Sequence, residues 1–209
     1  MESRVIAVGC SYTYGYALDD SWYHHKGRTY GKRQPSNTAW PNLVAKQLDR
    51  SCVNLSWPGG GPKEHAHRFL TWNDLKSSDI VLCLWSFHPR YVIIENDNKI
   101  TNLMPHRSDK FDKIYYKRYY DDFDSEIMLY HYREYVDLKC KSLGSVVYHM
   151  YINPKDLTMS KPNWCCAEWT EVTPLEVIKH KHPYALDNGH PGQLAHNEFA
   201  DEVYKIITR

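Results

Sequence analysis

Ser11 follows a short β-branched run in the segment Gly9-Cys10-Ser11-Tyr12-Thr13. A hydroxyl just past a strand end, flanked by glycine, can stand exposed while the next helix offers free N–H groups to a developing oxyanion. The same residues also read as a turn with a helix-capping serine. Far along the chain, Asp187-Asn188-Gly189-His190 puts an acid and an imidazole three residues apart on one tight loop. A serine nucleophile needs a base, and the base needs a group that fixes its tautomer. Asp187 and His190 can meet without distant help; the alternative is an Asn-Gly turn carrying an exposed histidine. Gly59-Gly60-Gly61, after Pro58, supplies backbone that can approach a ligand closely or donate N–H groups, or else a flexible turn. Together the three features are the parts of an acyl-transfer centre: a nucleophile, an oriented base and anion donors.

These parts need a scaffold that gathers them. Residues 4–8 (RVIAV) read as a buried first strand. Residues 51–55 (SCVNL) read as a second, 79–85 (DIVLCLW) as a third buried on both faces, and 145–152 (SVVYHMYI) as a fourth. A short strand near 175–178 would make a fifth. Helices are expected from Trp40-Pro41 with a cap among Ser36, Asn37 and Thr38, over 63–76, over 125–143 ending at Gly144, and over 193–207. The stretch 24–34 reads as a basic loop. Residues 91–100 read as an extended pair around the polar 95–98. Residues 104–124 carry no clean period, although Lys117 with Asp121 and Arg118 with Asp122 would pair if that stretch is helical. Strands alternating with helices predict one α/β domain over 1–209, with a mostly parallel sheet covered on both faces and a Tyr-rich insertion at about 91–125. In such sheets the ligand site lies beyond the carboxyl ends of the strands, which is where the three features fall.

With these residues placed, the sequence resembles the SGNH (GDSL-like) esterase and lipase superfamily. GCSYTYG matches its first block, with Cys10 where the family often has Asp. VNLSWPGG matches its second block, and DNGHPGQLAH its last. The resemblance spans residues 1–90 and 185–209. It implies a flavodoxin-like, three-layer α/β/α sandwich with a mostly parallel five-stranded sheet. It further implies Ser11 as nucleophile, His190 as base, Asp187 as its orienter, and the N–H groups of Ser11 and Gly59 as the oxyanion hole. One block departs: after the third strand the family has Gly-x-Asn-Asp, whose Asn is a third oxyanion donor. Here the strand ends in Trp85-Ser86-Phe87-His88-Pro89-Arg90. His88 and Arg90 are the candidate substitute donors. Loss of one such donor typically costs about 10²–10³ in rate.

Composition narrows the remaining classes. The chain has 209 residues, a formal net charge of +1 and 42% apolar residues, so it can bury a core and lacks the basic excess of a general nucleic-acid binder. No stretch approaches the roughly 20 apolar residues of a membrane helix. MESRVIAVG shows no secretory pattern, and the six cysteines show no CxxC spacing, which predicts reduced thiols and a cytoplasmic protein, or a virion-associated one if the source is a phage. His24-His25, His65 with His67, and His180 with His182 form no coherent ligand set, so neither metal nor cofactor is expected. Lys26, Arg28, Lys32 and Arg33 read as a solvated loop. The expected activity is cleavage of a carboxylic ester, with a small ester or an acylated carbohydrate as substrate. The alternative is a weak or inactive member used for binding, or as a structural part of a larger assembly such as a phage particle. The mean hydropathy of -0.64 is low for so apolar a chain because 17 Tyr and 7 Trp count as apolar yet score as polar. Many tyrosines fall in the insertion (Tyr115, Tyr116, Tyr119, Tyr120) and after Ser11 (Tyr12, Tyr14, Tyr16). This predicts tyrosines at the mouth of the pocket, or an oligomer interface near it.

Overall fold

The computed structural model describes residues 3–25, 28–31, 34–96 and 99–209. Strand β1 (Arg4–Gly9) leads into a one-turn helix α1 (Ser11–Tyr14) and a hairpin of β2 (Trp22–His25) and β3 (Arg28–Gly31). Then come α2 (Trp40–Gln47), β4 (Ser51–Asn54), α3 (Pro62–Thr71) and β5 (Ile80–Trp85). A second hairpin, β6 (Tyr91–Ile94) and β7 (Ile100–Leu103), precedes α4 (Lys110–Arg118) and the long α5 (Asp122–Leu143). Strand β8 (Val146–Tyr151) and helices α6 (Leu175–Lys179) and α7 (Gln193–Ile207) complete the chain.

The central sheet runs β4-β1-β5-β8, all parallel. Its β-branched strands alternate between two cores. Val5, Leu82, Leu84 and Met150 face one side, where α2 and α7 bring Trp40, Val44, Phe199 and Val203. Ile6, Val8, Val81 and Cys83 face the other, where α3 and α5 bring Phe69, Leu129 and Val136. Burial on both faces is why these strands read as continuous apolar runs. The result is an α/β/α sandwich. Because β1 is central, with β4 on one side and β5 on the other, the loops leaving these three strands meet at one edge of the sheet, at the topological switch point.

The expected and observed elements differ in six places. Helix α3 stops at Thr71 rather than at residue 76, because Trp72 turns extended at ψ 121°, and α2 starts after Ala39 with no side-chain cap from Ser36, Asn37 or Thr38. The sheet has four strands among the described residues, not five: residues 175–178 belong to α6. Leu175 and Ile178, three apart and both buried, face the α7 core as a helical turn. The stretch 24–34 is a hairpin in part, since β2 and β3 pair Trp22 with Gly31 and His25 with Arg28. Of its basic residues, Lys26, Lys32 and Arg33 lie outside the described residues. Residues 110–118 form α4, capped by the Asp109 side chain on the Phe111 N–H. Finally, Lys117/Asp121 and Arg118/Asp122 do not share a helix, because Tyr119 ends α4 and Asp121 caps α5. Gly144 does end α5, in the left-handed region at φ 75°, with the Ser145 N–H returning to the Cys140 carbonyl at 3.0 Å. Among the described residues no helix is long and apolar enough to cross a membrane.

Candidate active site

Four backbone segments build the site. The first is the turn from β1 into α1. Gly9 is required there: a Cβ would stand 2.1 Å from Thr13 Oγ1 and 2.7 Å from Thr13 Cβ. That closeness sets Ser11 as the first residue of α1, so its N–H has no partner within the helix. Gly15 ends the helix at φ 71°. Ser11 is 5% exposed.

The second segment follows β4. Asn54 ties it to the first: its Nδ2 donates to the Thr13 carbonyl at 2.9 Å and its Oδ1 accepts the Ser56 N–H at 3.1 Å. Gly59 has φ 81°, a conformation suited to glycine, and among the described residues its N–H donates to no backbone carbonyl. Gly60 is fixed from β5, where Ser86 Oγ donates to its carbonyl at 2.8 Å.

The third segment follows β5 and carries the two substitute donors. They go different ways. The His88 N–H donates to the Tyr151 hydroxyl at 3.1 Å, His88 Nδ1 lies 3.1 Å from the same oxygen, and its Nε2 faces Asp122 at 3.8 Å. Burial lowers the pKa of this imidazole. Arg90 instead packs on Gly61, where a Cβ would stand 2.3 Å from the Arg90 carbonyl oxygen. Its guanidinium lies 5.1 Å over the Phe87 ring. Its charge acts on the Tyr12 phenol, and its Nη1 is buried with no hydrogen-bond partner among the described residues. Of the two, only Arg90 keeps a side-chain nitrogen without a hydrogen-bond partner among the described residues.

The fourth segment is the loop before α7. The Ala185 N–H donates to the His190 carbonyl at 3.0 Å, and Asn188 adopts φ 56° in the Asn-Gly turn. Asp187 Oδ1 accepts the N–H groups of Gly189 and His190, both at 3.0 Å, and its Oδ2 holds His190 Nδ1. Partial burial pushes the Asp187 carboxyl pKa up, but the two N–H groups and the imidazole outweigh it, and the net direction is down. The loop docks on the exit of α1, the Leu186 N–H donating to the Ala17 carbonyl at 3.2 Å. There the His190 ring meets Tyr12 edge-on at 5.6 Å and Tyr16 at 5.0 Å.

Asp187 and His190 are therefore joined directly. Ser11 is tied to their cluster through its neighbour Tyr12 and through Tyr16, whose N–H donates to the Ser11 carbonyl at 3.0 Å, while Gly59 and Arg90 lie on the loops that follow β4 and β5. The tyrosines after Ser11 are not all at a mouth: Tyr12 and Tyr14 are buried, and Tyr16 is half-buried. Tyr12 goes inward because its hydroxyl is satisfied there. It donates to Glu176 Oε2 at 2.6 Å and accepts from Lys179 Nζ at 2.7 Å, which ties α6 to the residue after Ser11. Burial and Glu176 together raise its pKa.

Sequence reasoning misses Glu176, Lys179 and Ser86, which act over long separations and carry no local signal. It also misses His196, and it weighs His65 only as half of a pair with His67. His196 Nδ1 accepts the Trp40 N–H at 3.1 Å and joins α7 to α2. His65 is buried beneath Gly60, neither ring nitrogen having a partner among the described residues. All six cysteines are free thiols. Among the described residues no group of three or more His, Cys, Asp or Glu converges as a metal site.

No family model matches the sequence, and no curated protein does. Solved structures do. The psychrotrophic esterase EstA from Pseudoalteromonas sp., in a structure inhibited by monoethylphosphonate, is 14% identical. The match covers 98% of this chain and 96% of that one, with a TM-score of 0.57. TesA is 12% identical over 99% of this chain and 98% of that chain, with a TM-score of 0.54. A carbohydrate esterase, whose active site is described as displaying divergent catalytic and non-catalytic binding functions, is 12% identical. That match covers all of this chain and 68% of that one, with a TM-score of 0.60. The fold is that of the SGNH hydrolases, as the sequence resemblance implies.

Proposed function

We propose that the chain is a serine hydrolase of carboxylic esters. Ser11 Oγ attacks the acyl carbon while His190 Nε2 takes its proton. A C–O bond forms, and the carbonyl π electrons move onto oxygen. Collapse of this adduct expels the alcohol, which takes the proton back from His190. Water then attacks the acyl-serine by the same route and releases the acid. The N–H groups of Ser11 and Gly59 receive the oxyanion. Arg90 supplies the third donor in place of the family's Asn.

One observation carries this reading: Asp187 holds His190 through Nδ1, which leaves Nε2 as the working nitrogen, on a loop docked against the segment that bears Ser11. The two N–H groups that Asp187 Oδ1 accepts belong to the turn itself; the bond from His190 Nδ1 to Oδ2 is the one a turn with an incidental histidine would not need. The esterases of like fold add support. The test is hydrolysis of short-chain aryl esters by the wild type and Ser11→Ala.

A second reading, an SGNH-fold protein used for binding or as a component of a larger assembly, is favoured by one feature. Among the described residues no hydrogen bond joins Ser11 Oγ to His190, and Ser11 is nearly buried. Catalytic hydrogen bonds are often long in unliganded enzymes and tighten when substrate binds, so this feature weighs less than the Asp187–His190 pair. The second reading predicts no labelling by a fluorophosphonate.

A further inference from the structure

Beside the third segment lies a cavity of about 240 Å³ that shares only Arg90 with the residues assigned to the acyl-transfer centre. Its walls include Tyr91, Tyr115 and Tyr132, with Lys63, Arg90 and Asp124 among them. Tyr91 and Tyr115 stack at 4.6 Å, and Lys63 Nζ lies 5.3 Å over the Tyr91 ring. The Asp124 carboxylate acts on the phenols of both Tyr115 and Tyr132.

Part of the polar lining is engaged: Asp121 Oδ1 accepts the Asp124 N–H, Tyr120 donates to Asp122, and Ser125 Oγ donates to the His88 carbonyl. Among the described residues, the hydroxyls of Tyr115 and Tyr132 donate no hydrogen bond, and neither Lys63 nor Asp124 forms an ion pair. Arg90 Nη1 is buried and unpartnered. Asp121 also lines the cavity, so two cations face two carboxylates and the walls are neutral as a whole. An apolar acyl chain would leave these donors and acceptors without partners, at a cost. An anion would meet the carboxylates. A neutral, polyhydroxylated ring suits the site: its hydroxyls can pair with carboxylate, ammonium and phenol, and its C–H face can lie on tyrosine. The volume falls below the range of drug-sized pockets, so it suits one ring.

We infer that this cavity is a subsite for one neutral sugar residue, contributed by the tyrosine-rich segment. Arg90 borders it and packs on Gly61, two residues after Gly59, so a ring bound there lies against the loops that follow β4 and β5. The role of the bound sugar as part of a substrate rests on the hydrolase reading; the binding itself does not.

The test is titration of folded Ser11→Ala protein with xylohexaose, cellohexaose and chitohexaose, followed by saturation-transfer NMR and calorimetry. At least one sugar is expected to bind. Tyr115→Ala and Asp124→Asn, each placed in the Ser11→Ala background, are expected to weaken it by about tenfold or more. With Ser11 intact, both single variants are expected to keep aryl-acetate hydrolysis within about twofold. The surface change Lys63→Gln provides a variant whose folding is not at risk, and it too is expected to weaken sugar binding. Binding to none of the three sugars would overturn the subsite, as would binding that all three variants leave unchanged. Sugar binding by Ser11→Ala without ester hydrolysis by the wild type would keep the subsite and remove the hydrolase.

Discussion

Asp187 grips His190 with both carboxylate oxygens: Oδ1 accepts its backbone N–H at 3.0 Å, and Oδ2 holds its ring at Nδ1. Position and tautomer of the imidazole are fixed by one side chain. Asp187→Asn can place an amide N–H toward Nδ1 and reverse the tautomer. Its kcat on an aryl acetate is expected to fall by about 10³–10⁴, with KM changed far less. Steady-state kinetics check this.

Arg90 is expected to stabilise charge that develops only in the transition state. Arg90→Met should lower kcat by about 10²–10³, and Arg90→Lys should recover part of the loss. His88 already serves Tyr151 and Asp122, so His88→Gln should cost activity much less than Arg90→Met. A larger loss at His88 than at Arg90 would reverse the assignment.

Three buried histidines make stability depend on pH. His65, His149 and His196 have pKa values lowered to about 3, first by burial. Between pH 3 and 6.5 the unfolded chain therefore binds more protons at these sites than the folded one. Stability rises with pH across that window and is lost as pH falls, by up to about 1.4 kcal/mol per pH unit for each histidine. Asp187, whose pKa is lowered, acts in the same direction at more acid pH. Urea unfolding at pH 7 and pH 5 checks the sign: a midpoint that stays level or rises on acidification would contradict it.

Two glycines are expected to resist substitution for different reasons. At Gly59, φ is 81° and a Cβ would stand 2.8 Å from the mobile end of Met104. Gly59→Ala should cost about 1–2 kcal/mol, mostly from the backbone. At Gly9 the added Cβ would overlap the Thr13 side chain at 2.1 Å. Gly9→Ala should therefore lower the Tm further than Gly59→Ala, and Gly9→Ala with Thr13→Ser should not restore it, since Oγ remains in place. Differential scanning calorimetry orders the variants.

The strands of the central sheet were legible because burial on both faces leaves unbroken apolar runs such as 79–85, and α7 because Phe199, Val203 and Ile207 recur every four residues; Leu194, expected in that stripe, is exposed. Asp187 and His190 were legible because both lie on one short loop. What escaped was set by contacts remote in sequence. Residues 175–178 look like a strand, yet they close as a helical turn because Glu176 and Lys179 reach Tyr12, more than 160 residues away in sequence. The first hairpin, WYHH and RTYG, carries too few apolar residues to show a period, whereas the second was legible as an extended pair because YVII flanks the polar 95–98. Tyr12 was expected at the surface by its hydroxyl, and it is buried because that hydroxyl has two partners inside.

Reaction of the folded protein with a fluorophosphonate, read by intact mass and by the site of modification, tests the central assignment most directly. The account predicts one adduct per chain, on Ser11, with loss of aryl-ester hydrolysis in step with labelling and no adduct on Ser11→Ala. An unlabelled wild-type protein, or Ser11→Ala hydrolysing aryl esters as fast as the wild type, would contradict it.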